Sequence, residues 1–360
     1  MRAGETPAVA EIGGKGTGAG MRKVVGVVLL IAAAIGGLWI GGESWAAGKL
    51  RELIAERPDM QAAAVRPLRE ASRIGLRLDR PQLASPGLGL APDWLELWLS
   101  PLAPLRAVAT PSASGRLDLS GQQVPFQIAD AQAQVALSPL NRMAVSHLAV
   151  DSGAVLLGEQ VLMQRLRAEA DLVRLGAGAP SAAGAAYDLR LALEGLQGDR
   201  LAVLGFAPLA LPGALSAEGA GRVWLEGALG GLGGSAAPRV VGVQTGGLEL
   251  RLGALSARLV GRLVQGADGL TEGRVALYTS DGQGFLDAAA DAGLIPADGR
   301  LLARAMLNQM GRMPMPEPAA PDGLDFPEPT AGELRIPLIL RDGRLLLGEM
   351  PIGPAPAFPG

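Results

Sequence analysis

A chain of 360 residues with 32 basic and 35 acidic side chains, net charge −3, carries no electrostatic footprint for nucleic acid. The absence of cysteine removes disulfides, thiolate nucleophiles and cysteine metal sites together. Hydrophobic residues make up 49% of the chain and aromatics only 3%, so a sizeable core can be buried, built from Leu, Val, Ile and Ala.

Residues 1–20 are Gly-rich, have no hydrophobic period and read as a disordered cytoplasmic tail. Gly13 to Gly18 lacks the spacing of a phosphate loop and follows no strand. Met21-Arg22-Lys23 reads as an alternative start to Met1, a short basic stretch followed at once by an apolar run. From Val24 to Gly42 no side chain is charged. As a helix rising about 1.5 Å per residue, that run just reaches across a hydrocarbon core of about 30 Å. Residues 21–42 are therefore expected to be a transmembrane anchor. Ser44-Trp45-Ala46 offers a cleavage site, but the run is longer than a signal peptide's apolar core. It also continues into Trp45, Leu50, Leu53 and Ile54 at helical spacing, which favours retention. Arg22 and Lys23 on the near flank and Glu43 on the far one place the N-terminus in the cytoplasm and the body in the periplasm. Residues 43–72 read as an amphipathic helix and linker, with 60–72 open between the two.

From residue 73 the pattern changes to period two. Ile74, Leu76 and Leu78 fall on one face and Arg73, Arg77 and Asp79 mostly on the other, as in a half-buried strand, up to Pro81. The same alternation recurs at 94–99, 116–119, 126–130, 132–137, 145–150, 162–172 and 187–194. It is interrupted at 199–213, where Leu201, Leu204 and Leu209 with Pro208 and Pro212 predict a short helix and loop. It returns at 221–226, 248–252, 255–264 and 271–277. Two helical faces follow, Phe285-Ala288-Ala289-Ala292 and Leu301-Leu302-Ala305-Met306-Met310, the second with Asp298 as a candidate cap. A Pro-rich stretch, 313–332, is expected to be extended and exposed. The chain ends in a hairpin, Leu334 to Leu340 against Arg344 to Leu347, across the favoured turn pair Asp342-Gly343.

The body, 73–360, thus reads as mainly β: a large antiparallel sheet with a few short helices behind an N-terminal transmembrane helix. The Trp-containing strand Ala91-Pro92-Asp93-Trp94-Leu95-Glu96-Leu97, the long strand series and the ending Arg341-Asp342-Gly343-Arg344 with Pro351-Ile352-Gly353-Pro354 resemble the uncharacterised bacterial envelope family called domain of unknown function 2125. The resemblance spans about residues 21–356 and brings no catalytic residue with it. A more distant architectural likeness, to AsmA-like envelope proteins, implies a curved sheet, groove or half-barrel, whose apolar side shelters acyl chains.

The sequence selects no catalytic, cofactor or metal site. His147 is the only histidine, sits in a predicted strand and belongs to no Gly-x-Ser-x-Gly elbow, so it reads as structural. Asp287, Asp291 and Asp298 have the wrong spacing for a calcium loop. Met306, Met310, Met313 and Met315 read as core packing, with a lid over an apolar groove as the alternative. A sheet of a dozen one-sided strands must cover its apolar face with a second sheet, helices or a ligand. The helices at 285–310 are too few to do so. The expected site is an apolar groove containing Leu189, Leu191, Leu193, Leu250 and Leu252. The expected function is non-catalytic: a membrane-anchored envelope protein that binds or helps to move lipid. The alternative is an assembly scaffold that binds another envelope protein through a sheet edge.

Overall fold

The computed structural model describes residues 47–358, apart from 49, 53, 56–59, 69, 71, 86–87, 120–121, 205–210, 231–237, 292–303, 305–314 and 316–322. The expected anchor at 21–42, the tail before it and the helical face from Leu301 to Met310 lie outside these residues. Among the described residues no helix is long and apolar enough to cross a membrane.

The body is mainly β, with a few short helices, and its first strands come as pairs that continue one another. These are β1 (Met60–Gln61) with β2 (Ala64–Pro67), β3 (Ile74–Asp79) with β4 (Gln82–Ser85), β5 (Leu88–Pro92) with β6 (Trp94–Ser100), and β7 (Ala103–Pro111) with β8 (Ser114–Leu119). Then come β9 (Gln122–Ile128) with β10 (Gln132–Ser138), β11 (Ala144–Ser152) with β12 (Val155–Leu157), and β13 (Gln160–Met163) with β14 (Arg165–Val173). One member of each pair belongs to a seven-stranded sheet ordered β1-β4-β5-β8-β9-β12-β13. The other belongs to a fifteen-stranded sheet that begins β2-β3-β6-β7-β10-β11-β14. The larger sheet continues as a meander through β15 (Ala185–Leu196), β16 (Leu215–Leu225), β17 (Val240–Leu252), β18 (Leu255–Gln265), β19 (Thr271–Thr279), β20 (Leu334–Arg341), β21 (Arg344–Leu347) and β22 (Met350–Pro354). Every pairing is antiparallel, and neither strand order closes on itself.

The two sheets are the two sides of one crease. At the breaks the ladder carries on: Arg80 N–H donates to Asp93 O, Asp93 N–H to Ser114 O, Ser112 N–H to Trp94 O and Ala129 N–H to Ala154 O. Arg80 (φ 45°) and Asp130 (φ 47°) take left-handed backbone there, as at a β-bulge. The apolar phase shifts by one residue across the break, from Leu76 and Leu78 to Leu83. Leu83 still packs into the same cluster as Leu78, so an extra residue at the bulge returns the aliphatic side chains to one face.

Cross-strand register shows how one-sided the large sheet is. Leu76, Leu97, Ala109, Ala133, Val150 and Ala168 face one another in turn from β3 to β14. The row runs on through Leu191, Gly219, Leu248, Leu259, Leu277 and Ile336 to β20. On the opposite face Arg106, Ala136, His147, Asp171, Asp188, Arg222, Gln244, Arg262 and Arg274 form the corresponding row. The ends of the aliphatic face are covered. Ala47 and Leu50, helical residues before β1, are buried with Leu76, Leu97 and Leu99. At the other end the helix Gly282–Asp291 places Leu286 against Ile336 and Leu347.

Three expectations are corrected. Residues 60–67, left between helix and linker, are strands, and Arg51 donates to Val65 O at 2.9 Å across them. The alternating run 162–172 is broken at Gln164, where the chain crosses the crease. The described part of the Pro-rich stretch lies on the polar face of the sheet and is not simply exposed. Leu324 and Phe326 pack on Val260, Ala276 and Tyr278, and Tyr278 OH donates to Pro327 O at 2.9 Å. The Arg274 guanidinium sits 5.0 Å above the Phe326 ring, so an aromatic within the run supplies the anchor. Met315 packs in the same cluster, and the other three methionines of that group lie outside the described residues.

The terminal hairpin is as expected. Asp342 (φ 54°) and Gly343 (φ 69°) are both left-handed, the signature of a type I′ turn. Gly343→Val should destabilise by about 1–3 kcal/mol, because a β-branched residue resists that region; its Cβ would also lie 3.3 Å from Leu270. Unchanged thermal stability would contradict this reading of the turn.

Candidate ligand-binding face

The five leucines singled out from the sequence share one face in the centre of the large sheet. Leu189, Leu191 and Leu193 lie on β15, and Leu250 and Leu252 on β17. Between them β16 presents Ala217, Gly219 and Gly221: Leu193 faces Ala217 and then Leu250, Leu191 faces Gly219 and then Leu248, and Leu189 faces Gly221. Alternation puts Arg190, Glu218 and Glu249 on the other side. The aliphatic face therefore has a low floor along β16 between two leucine walls about 10 Å apart, two strand spacings.

Coverage separates this centre from the ends. In the same cross-strand row Leu76 is 0% and Leu97 3% exposed, whereas Val150, Ala168, Leu191, Leu248, Leu259 and Leu277 are only half-buried. A cavity of about 540 Å³ opens beside the β17–β18 turn, lined by Leu211, Pro212, Leu252, Leu255 and Ala288, with Asp287 and Asp291 at its helical wall. A second, of about 320 Å³, lies mainly on the opposite, polar face, lined by Glu194, Ser216, Glu218, Glu249, Arg251 and Ser256. At the far end of β15 a strap crosses the aliphatic face. Tyr187 OH donates to Val145 O at 2.8 Å and accepts from Leu229 N–H at 3.0 Å, while Ala144 bridges to Gly230. Neither the strap nor the small-residue floor could be foreseen, because both depend on register between distant strands.

Tyr187 and Tyr278 are the only tyrosines, and burial raises both phenols above their ordinary value. For Tyr187 the Leu229 N–H opposes this, and for Tyr278 the Arg335 guanidinium does. A raised value means that the folded state holds the phenolic proton more tightly than the unfolded chain does. The stability so gained is complete below about pH 10 and is lost as the pH rises through the folded values. Ultraviolet titration should find phenolate appearing only together with alkaline unfolding. A tyrosine ionising near pH 10 in the folded protein would contradict this burial.

The polar face carries charge pairs that fit a structural role. His147 Nδ1 lies 2.7 Å from Asp171 Oδ1, and Arg190 reaches the same aspartate at 3.4 Å and Glu169 at 3.2 Å. Arg222 grips Asp188 through two bonds of 2.7 and 3.2 Å. Such half-exposed pairs contribute little each. Ser146 is the unpaired residue where β10 and β11 shift register, and its Oγ donates to Ala136 O at 3.3 Å. Asp287 is held by Arg304 at 2.6 Å, and Asp298 lies outside the described residues. Among the described residues no group of three or more His, Asp or Glu is placed to hold a metal ion.

No curated protein and no solved structure matches the chain. The architectural likeness to AsmA-like proteins thus has no relative behind it. Residues 72–356, most of the chain, match the family described as "Uncharacterized protein conserved in bacteria (DUF2125)", and the chain belongs to that family.

Proposed function

We propose that this protein is a non-catalytic component of the bacterial envelope, held in the inner membrane by residues 21–42, with its β-rich body in the periplasm. There the central aliphatic face, a groove floored by β16, binds lipid or another apolar ligand and helps to move lipids. The observation that carries the reading is the aliphatic row from Leu76 to Ile336, covered at both ends and half-exposed over β11–β19. A membrane tether would make lipid the nearest apolar ligand. The scaffold alternative has less support, because the sheet edges are blunted. β22 carries Pro351 and Pro354, β2 is four residues long and ends at Pro67, and the β13 edge accepts the Arg200 guanidinium at Val161 O.

Leu191→Glu and Leu250→Glu should each reduce capture of labelled phospholipid while the β-sheet circular dichroism stays unchanged. If both variants unfold, these leucines are sealed core. Full lipid capture by folded variants would place the ligand elsewhere. For location, a reporter active only in the periplasm, fused after Gly360, should be active; a soluble cytoplasmic full-length protein would contradict the tether.

A further inference from the structure

The two most exposed large hydrophobic residues among those described are Leu102, 97% exposed, and Leu140, 96%. Leu175 is also exposed, at 43%. All three sit on connections at one end of the large sheet, the end away from the crease. Leu102 tips the β6–β7 hairpin, Leu140 the β10–β11 connection, and Leu175 the β14–β15 loop. Strand order makes these connections successive, so the tips stand in a row at intervals of roughly 10 Å, two strand spacings.

A single exposed leucine needs no explanation, but these three share two further features. Two of them sit in the same tripeptide, Ser100-Pro101-Leu102 and Ser138-Pro139-Leu140, in which proline stiffens the turn and holds the leucine outward. The β10–β11 and β14–β15 connections, 139–143 and 174–184, also carry Arg142 and Arg174 and no acidic residue, in a chain whose net charge is −3, and Arg106 stands within β7 nearby. All three arginines are exposed. Apolar tips beside unopposed positive charge match the boundary between acyl chains and anionic headgroups. The point of attachment agrees. Ala47, five residues beyond the expected anchor, is buried in the cluster that contains Leu99, three residues from Leu102.

We propose that this end of the sheet rests on the bilayer, with Leu102 and Leu140 inserted at the headgroup boundary and Arg142 and Arg174 on anionic headgroups. The inference rests on the membrane tether of the proposed function and adds the orientation: strands standing on the membrane by their hairpin tips, the crease pointing away. The strap from Leu229 over Tyr187 crosses the aliphatic face at this same end, so the leucine-walled floor along β16 lies beyond it, away from the bilayer.

The test uses the full chain reconstituted into phosphatidylglycerol-containing vesicles. The chain has no cysteine, so Leu102→Cys, Leu140→Cys and, from the turn beyond the crease, Glu159→Cys each carry one fluorophore. Flotation with the vesicles after an alkaline wash reports the tether itself. Labels at 102 and 140 should be quenched by nitroxide lipid and shielded from aqueous iodide at least about threefold relative to 159. In a second arm, Arg142→Gln with Arg174→Gln, or purely zwitterionic vesicles, should weaken that shielding. A chain that fails to float overturns the tether and this orientation together. A chain that floats with labels at 102 and 140 as wet as at 159 overturns the orientation alone. Tips shielded from iodide yet untouched by nitroxide lipid would mean that a protein covers them, which also overturns it.

Discussion

Gly273→Ala should cost about 3 kcal/mol or more, or prevent folding outright. Gly273 has φ 140° in β19, between β18 and β20, and pairs with Leu263 and Leu340. A Cβ there would overlap the Arg262 carbonyl oxygen, a backbone atom that cannot turn aside. Relief would require opening a ladder on one side or the other. Urea denaturation should show a large fall in midpoint with an unchanged slope. Gly246→Ala is the control: it lies in a bulge of β17, its Cβ would meet nothing within 4 Å, and its effect should stay within about 0.5 kcal/mol. Equal, small effects at both positions would mean that the strand is not held as described.

Leu76→Ala and Leu191→Ala delete the same atoms from the same cross-strand row, and their costs should differ. Leu76 is 0% exposed, beneath the helical segment that carries Ala47 and Leu50, and its truncation should cost about 2–5 kcal/mol through lost burial and the cavity left behind. Leu191 is half-buried on the uncovered centre of the face. It starts with less burial to lose and leaves a dent instead of a cavity, so its truncation should cost less than about 1.5 kcal/mol. Chemical denaturation of the two variants measures the contrast. Equal losses would show that the centre is as well covered as the end.

What could be read from the sequence follows from how local each signal is. The strands with strong alternation, such as Ile74-Leu76-Leu78 and Leu189-Leu191-Leu193, were legible, because period two directly encodes a one-sided strand. The Asp342-Gly343 turn was legible because only a few residue types tolerate two positive φ angles. β7 was missed because Ala107, Val108 and Ala109 are buried in succession between Pro104 and Pro111, with no alternation and two small side chains, a weak apolar signal. The crease was missed because a one-residue slip, as at Asp93 or Gln164, looks like either a turn or nothing. That the five leucines share one face was legible from their alternation. The floor of Ala217, Gly219 and Gly221 was not, since small residues acquire that meaning only through the partners opposite them.

The central claim is that the leucine-walled face along β16 holds an acyl chain. The chain's lack of cysteine allows one fluorophore to be placed at a time. Residues 190 and 191 are neighbours on β15 that point to opposite faces at nearly the same height above any membrane. With the full chain in vesicles containing nitroxide-labelled phospholipid, the label on Leu191→Cys should be quenched and the label on Arg190→Cys should not. Equal quenching at both positions, or none at 191, would contradict the claim.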